Sequence, residues 1–210
     1  MGAEGLARDE KVAFRELGAL ISDPRASVSS IAELLDGLPD AMRPRVVRRL
    51  GPAAQRSLYA RAEGYASVGL TDLVPSRRAD LEEVRHLGRN TLPAFRIFEK
   101  RFCRLPGEPP ESPGSLAGYN FQTMSFVTGP GYFLARNDPE RGEVLVDYTR
   151  LPAARPGQWP EIRSNERGLA RFVYGFMVDR IRRVSEHVTI GAASRNGREL
   201  GSYFVLSRSD

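Results

Sequence analysis

Two imidazoles, His86 and His187, and a single thiol, Cys103, are the side chains on which acid–base or nucleophilic chemistry near neutral pH could be built. Each also has an ordinary structural reading. His86 follows Glu82-Glu83-Val84-Arg85, where a surface or packing role competes with work as a ligand or catalyst. His187 stands beside Glu186 at the expected end of a helix, where a cation complements the carbonyl dipoles. Cys103 follows Phe102 between Arg101 and Arg104, and reads either as a small buried hydrophobe or as a thiolate that the arginines would favour. An enzyme of unrecognised class would draw on His86, Cys103 and Tyr148. Asp147 and Asp179 have no carboxylate partner near them in sequence, so no glycosidase-like pair forms locally. The phosphate-loop, nucleophile-elbow, zinc-helix and dinucleotide fingerprints are all absent, and no residue is assigned a catalytic role.

Binding residues stand out by cluster and spacing. Phe95, Phe98 and Phe102 recur at helical intervals and form either a buried stripe or the wall of an apolar cavity, to which Phe176 would add from the other half of the chain. Arg43, Arg45, Arg48 and Arg49 make the densest basic cluster, a solvated helix face or a set of phosphate contacts without interleaved stacking aromatics. The net charge of +5 favours an anionic partner, nucleic acid included. Lys11 and Lys100 are the only lysines, however, so the excess is nearly all arginine, as a GC-rich bacterial coding bias would produce. One cysteine permits neither an intrachain disulfide nor a multi-thiolate metal cage. The start of the chain has no export signal and no apolar run is long enough to span a membrane, which predicts a cytoplasmic protein.

The elements that must position these residues change character midway. Phe14, Leu17 and Ile21 share a helical face that Ser22-Asp23-Pro24 ends. Ser30 to Glu33 has capping-box spacing ahead of Leu34, Leu35 and Leu38. Further helices are expected after Asp40, through Ala54, Leu58 and Tyr59, from Asp80 to Gly88, and from Thr91 through the three phenylalanines. The Pro-Gly-rich run 105–115 is a linker or exposed loop between a helical region, 1–104, and an antiparallel region, 116–210. Strands are expected at 121–127, 132–136 and 143–150. An amphipathic helix is then expected from Ser164 or Asn165 through Leu169, Phe172, Val173, Phe176, Ile181 and Val184, followed by a hairpin whose Asn196-Gly197 turn is of type I′. The fold class expected is α+β: N-terminal helices packed with a C-terminal antiparallel sheet that carries one amphipathic helix and ends in a β-hairpin.

From Glu143 onward the order strand, connector, helix, strand, turn, strand resembles the C-terminal part of the heme-nitric-oxide-binding domain. Its relatives, the 4-vinyl-reductase-like small-molecule-binding domain and the TRAPP subunits, share that order. The string Ser164 to Leu169, with Phe172-Val173 and Gly175, is similar to the Ser-x-Arg segment and following helix of the heme branch. The resemblance implies heme as cofactor, with Tyr148, Ser164 and Arg167 as equivalents of the propionate-holding Tyr-x-Ser-x-Arg group and His86 as the available axial histidine. Here Tyr148 stands 16 residues before Ser164. More broadly the resemblance implies an apolar ligand or acyl chain held between helices and sheet.

Together these readings predict a non-enzymatic small-ligand-binding, sensory or protein-interaction domain whose helices close over the sheet and allow a homodimer. The alternatives are an arginine-rich nucleic-acid-binding protein and an enzyme of unrecognised class. The residues themselves name no cofactor.

Overall fold

From residue 84 onward the side chains alternate between two environments with the period of a strand, and every strand is paired on both sides. The computed structural model describes residues 3–122, 129–166, 171 and 173–209. Eight strands follow one another round a closed antiparallel barrel: β1 Val84–Asn90, β2 Ile97–Arg104, β3 Leu116–Phe121, β4 Tyr132–Asp138, β5 Glu143–Asp147, β6 Met177–Arg183, β7 Val188–Arg195 and β8 Arg198–Ser209. β8 pairs back onto β1, with Gly88 opposite Leu206, so no edge is left unpaired.

Register fixes which residues face inward. Gly88 lies opposite Phe98, Lys100 opposite Asn120, Gly118 opposite Phe133, Val146 opposite Asp179, and Gly191 opposite Phe204. Because cross-strand partners share a face, these residues and their second neighbours line the interior. Phe102, Leu116, Phe133, Val144, Val146 and Ile181 are fully buried there, each worth about 1.5–3 kcal/mol in burial. Glycine has a particular use in this packing. A Cβ on Gly118 would lie 2.3 Å from the Phe133 ring, and one on Gly191 only 2.2 Å from the Phe204 ring. The rings fold over bare backbone on the neighbouring strand.

The helices cover part of the barrel's outside. They are α1 Ala3–Ser22, α2 Val28–Asp36, α3 Arg43–Val47, α4 Pro52–Arg61 and the short α5 Leu70–Leu73. Leu17, Ile21, Ile31, Leu35, Val47, Leu50 and Leu58 pack on the outward residues Val188, Ile190 and Val205. α5 instead plugs one end of the barrel, where Leu70, Leu73 and Val74 join the interior cluster. Carbonyls in and beyond this single turn are met by inward cations and an imidazole. Arg208 donates to Asp72 O (2.6 Å), His86 Nε2 bonds Leu73 O (2.9 Å), and Arg104 donates to Arg78 O.

The α+β expectation is overturned by this closed barrel. The helix expected at 164–184 is replaced from Met177 by β6, while residues 167–170 and 172 of it lie outside the described residues. Its polar stripe has another explanation: inward Asp179 meets Lys100, and outward Arg180 and Arg182 meet Glu143 at 3.1 and 2.7 Å. The helices expected at 80–88 and 91–102 are likewise β1 and β2. Phe98 and Phe102 are four residues apart, a spacing that puts two side chains on one face in either a helix or a strand. Only Phe95 demanded the helix, and it sits in the β1–β2 loop with φ at +52°.

Other expectations meet the structure at changed positions or only in part. The second helix begins two residues before Ser30, with Ser27 Oγ accepting from Ser30 N. Residues 123–127 of the strand expected at 121–127 lie outside the described residues, and β3 itself runs earlier, from Leu116 to Phe121. The run 105–115 connects β2 and β3, adjacent strands of one barrel. Asn196 and Gly197 both have positive φ and join β7 to β8, as a type I′ turn requires.

The Gly191 contact makes a sharp test of barrel packing. Gly191→Ala should lower stability by about 1–3 kcal/mol, read as a shifted urea midpoint with the barrel spectrum retained. An unchanged midpoint would show that the Phe204 ring does not lie over this strand.

Candidate ligand-binding cavity

All the β1–β2, β3–β4, β5–β6 and β7–β8 connections emerge at the end opposite α5, and there the interior opens into a cavity of about 400 Å³. Its wall is mostly apolar: Phe98, Val173, Tyr174, Met177, Ala193 and Phe204 line it, with Leu92, Phe95 and Leu200 at the mouth. Those three mouth residues are 43–53% exposed. Asn90 shapes the β1–β2 loop, its Oδ1 accepting from Leu92 N (3.0 Å) and its Nδ2 donating to Phe95 O (3.2 Å). Phe95 thus holds an exposed ring on a left-handed backbone, a conformation that costs a bulky residue about 1–3 kcal/mol.

A hydrogen-bonded polar cluster interrupts the apolar lining, apart from the separate polar residues Asn90, Gln122, Arg195 and Ser202. Lys100 on β2, Asn120 on β3, Tyr148 just after β5 and Asp179 on β6 all line the cavity and are all buried. Lys100 Nζ donates to Asp179 Oδ2 (3.0 Å), to Asn120 Oδ1 (3.2 Å) and to the Tyr148 hydroxyl. Asn120 Nδ2 donates to that hydroxyl at 2.9 Å, and the hydroxyl donates to Asp179 Oδ2 at 3.2 Å. The rings of Phe204, Tyr148, Phe133 and Phe98 surround the ammonium at 4.8, 5.0, 5.1 and 5.9 Å. Three of these rings are the ones that lie opposite Gly88, Gly118 and Gly191, so the glycines let the cage close on the ammonium.

Burial dominates the electrostatics. It lowers the Lys100 pKa from its ordinary value, while the Asp179 carboxylate pulls the other way. Burial first and Asp179 second hold the Tyr148 hydroxyl well above its usual pKa, so it stays protonated and able to donate. Asp179 Oδ2 has two donors, whereas its buried Oδ1 has no hydrogen-bond partner among the described residues.

The residues singled out from sequence separate into several places. Phe95, Phe98 and Tyr148 line the cavity. Phe102 lies deeper, against the His86 ring, and Phe176 is an exposed residue at the start of β6. His86 bonds the plug and does not line the cavity. Ser164 Oγ accepts from Glu166 N on the connector, and Arg167 lies outside the described residues. This set does not fit a heme, because the imidazole bonds the plug at Leu73 O and does not line the cavity into which the tyrosine faces. Among the described residues, no group of three or more His, Cys, Asp or Glu side chains could hold a metal ion.

Cys103 points out of the barrel under Trp159 and Tyr119, where burial pushes its thiol up to about 12. It therefore shares no cleft with His86 and Tyr148. His187 lies between β6 and β7, 3.6 Å from Asp36. Asp147 accepts from Thr149 N and Oγ1 in a local turn. The four arginines do not make one face: Arg43 is buried and donates to Leu35 O and Leu38 O, Arg48 is half-buried, and Arg49 pairs with Glu10 and lies over Phe14. Only Arg45 is left as an exposed cation without such a contact in that group.

Of the residues that sequence reasoning missed, Lys100 carried a weak signal, and Asn120 and Asp179 carried none. Lys100 is one of two lysines among 31 basic residues, and it sits two residues from both Phe98 and Phe102. On a strand that spacing puts a charge on an apolar face, which marks a buried ion. Arginine's planar fork would not match three partners arranged about a compact ammonium.

Removing one partner should expose the cost of the other. Lys100→Met should destabilise the fold by about 3–5 kcal/mol, and Lys100→Met with Asp179→Leu should recover most of that loss in chemical denaturation. Equal stability of the single variant and the native chain would mean that the pair is not buried as described. No family model, curated protein or solved structure matches the chain.

Proposed function

We propose that this protein is a non-enzymatic small-molecule-binding barrel that holds an apolar ligand in its open-ended cavity and reads the ligand's polar end with Lys100, Asp179, Tyr148 and Asn120. The observation that carries this reading is a cavity of about 400 Å³ whose mostly apolar wall ends on a convergent polar cluster. Its size lies within the roughly 300–1,000 Å³ of pockets that enclose drug-sized ligands, and eight strands leave an interior wide enough for one small ligand.

The mouth supports the same reading. Leu92, Phe95 and Leu200 expose apolar surface around the opening, and the strained Phe95 loop is the kind of feature that collects at ligand clamps. Entry occurs from this end because α5 fills the other. A nucleic-acid role is not favoured, since Arg43 is spent on backbone carbonyls and Arg49 on Glu10. Among the described residues no helix is long and apolar enough to cross a membrane.

Titration with N-phenyl-1-naphthylamine, a neutral apolar fluorophore, tests this directly. The native chain should give a saturable, roughly one-to-one rise in emission, and Ala193→Trp, which fills the cavity, should weaken it on the order of tenfold or more. No saturable binding, or equal binding by the filled variant, would sink the reading.

A further inference from the structure

We propose that the open end of the barrel docks on an anionic lipid bilayer, its exposed apolar side chains entering the membrane surface while Arg96, Arg171 and Arg198 meet the lipid phosphates. Such docking goes beyond the ligand-binding reading, and adds to it the phase from which an apolar ligand reaches the cavity. It stands on the outside of the mouth and on the charge of the two barrel ends, whereas ligand binding stands on the interior.

Leu92 and Phe95 in the β1–β2 loop, Ile97 opening β2, Phe121 ending β3, Phe176 just before β6 and Leu200 on β8 are each 43–53% exposed. All of them belong to the end opposite α5. Among the described residues, Val12 on α1 and Leu151 in the β5–β6 connection are the other large hydrophobics so exposed. Apolar surface gathered at one end in this way marks contact with another apolar phase. The backbone holds it outward. Phe95 and Phe176 both sit in the left-handed region, at φ +52° and +58°, which bulky residues rarely adopt. Hydrogen bonds fix both positions: Thr91 N donates to Tyr203 O (2.9 Å), Arg96 Nε to Leu92 O (3.1 Å), and Asn196 N to Phe176 O (3.2 Å).

Charge selects the partner. Arg96, Arg171 and Arg198 are exposed beside these side chains, and none of them is in an ion pair among the described residues. Glu199 is the exposed acid next to Arg198, while the segments 91–96 and 122–131 hold no acid at all. The plugged end has the opposite character. Glu111, Glu140 and Glu186 stand exposed on its three connections, where Arg141 is the sole arginine. A bilayer with negative headgroups therefore attracts the mouth and repels the plug, which orients the barrel with its cavity facing the lipid. A second copy of this chain fits less well, because a self-complementary contact would set one cationic rim against another.

Vesicle flotation tests the docking. The native chain should float with phosphatidylcholine vesicles that are one-third phosphatidylglycerol, on the order of tenfold more tightly than with phosphatidylcholine alone, and the difference should shrink in molar salt. Arg198→Glu and Phe176→Asn lie outside the cavity lining, and asparagine accepts the left-handed backbone. Each should weaken flotation on the order of tenfold while N-phenyl-1-naphthylamine binding without vesicles stays native. In Phe95→Trp, vesicles with brominated acyl chains should quench emission, whereas the native chain's buried Trp159 should be unaffected. The comparison of lipids uses the native chain and needs no variant to fold. Absent flotation, equal flotation with neutral lipid, or indifference to both rim variants would overturn the docking and leave fluorophore binding untouched. A dimer that Phe176→Asn abolishes would assign the rim to a second copy and overturn it too. Loss of fluorophore binding with flotation intact would instead overturn the ligand-binding reading alone.

Discussion

A lysine ammonium held out of water is the constraint on which the interior of this barrel depends. Taking such an ion from water costs several kcal/mol, and only well-placed partners offset it. Here the partners come from four strands: Lys100 from β2, Asn120 from its neighbour β3, Tyr148 from the end of β5 and Asp179 from β6. None of these groups can move alone without leaving another unsatisfied. The polar cluster therefore ties together strands that are far apart in sequence, and it does so at the level where the packed core gives way to the cavity.

The two ends of the barrel are treated differently, and that polarity underlies the functional reading. At one end α5 enters the lumen, with His86, Arg104 and Arg208 reaching carbonyls in and beyond its last turn. At the other, Phe98, Phe133 and Phe204 fold over glycines on adjoining strands and close round Lys100, leaving space above them. The outer helices complete the arrangement by burying Val188, Ile190 and Val205, which would otherwise leave an apolar face of β7 and β8 in water. Charges on the outer face are also paired: Arg182 bonds both Glu143 and the carbonyl of Tyr59, joining the barrel to α4.

Much of the helical layer was legible in the chain, and most of the sheet was legible only in its later part. Leu17, Ile21, Leu35 and Leu58 show helical spacing because each helix buries a single stripe. Strands β1, β2 and β6 escaped notice for a different reason. A barrel wall that is covered on both sides buries charged as well as apolar residues, so its alternation is masked. In β6, Asp179 inside and Arg182 outside are both buried, yet in sequence they look like one solvated helix face. In β2, the four-residue interval between Phe98 and Phe102 fits either period, and Lys100 between them carries the only hint of a buried ion. Tyr148 and the aromatic wall could be suspected from residue type, whereas Asn120 and Asp179 had no local feature to mark them.

By itself the sequence determined the helices before residue 62, the turn at Asn196-Gly197 and the breaks imposed by proline and glycine, because these depend on neighbours a few residues away. Tertiary structure alone decided that the remaining strands close into a barrel, that Lys100 and Asp179 meet across 79 positions of chain, and that their cluster sits beneath a cavity. The physical reason is that ring closure and buried-charge compensation are long-range conditions. They are met by pairing register and by cross-barrel partners, and no window of local sequence contains both members of the pair.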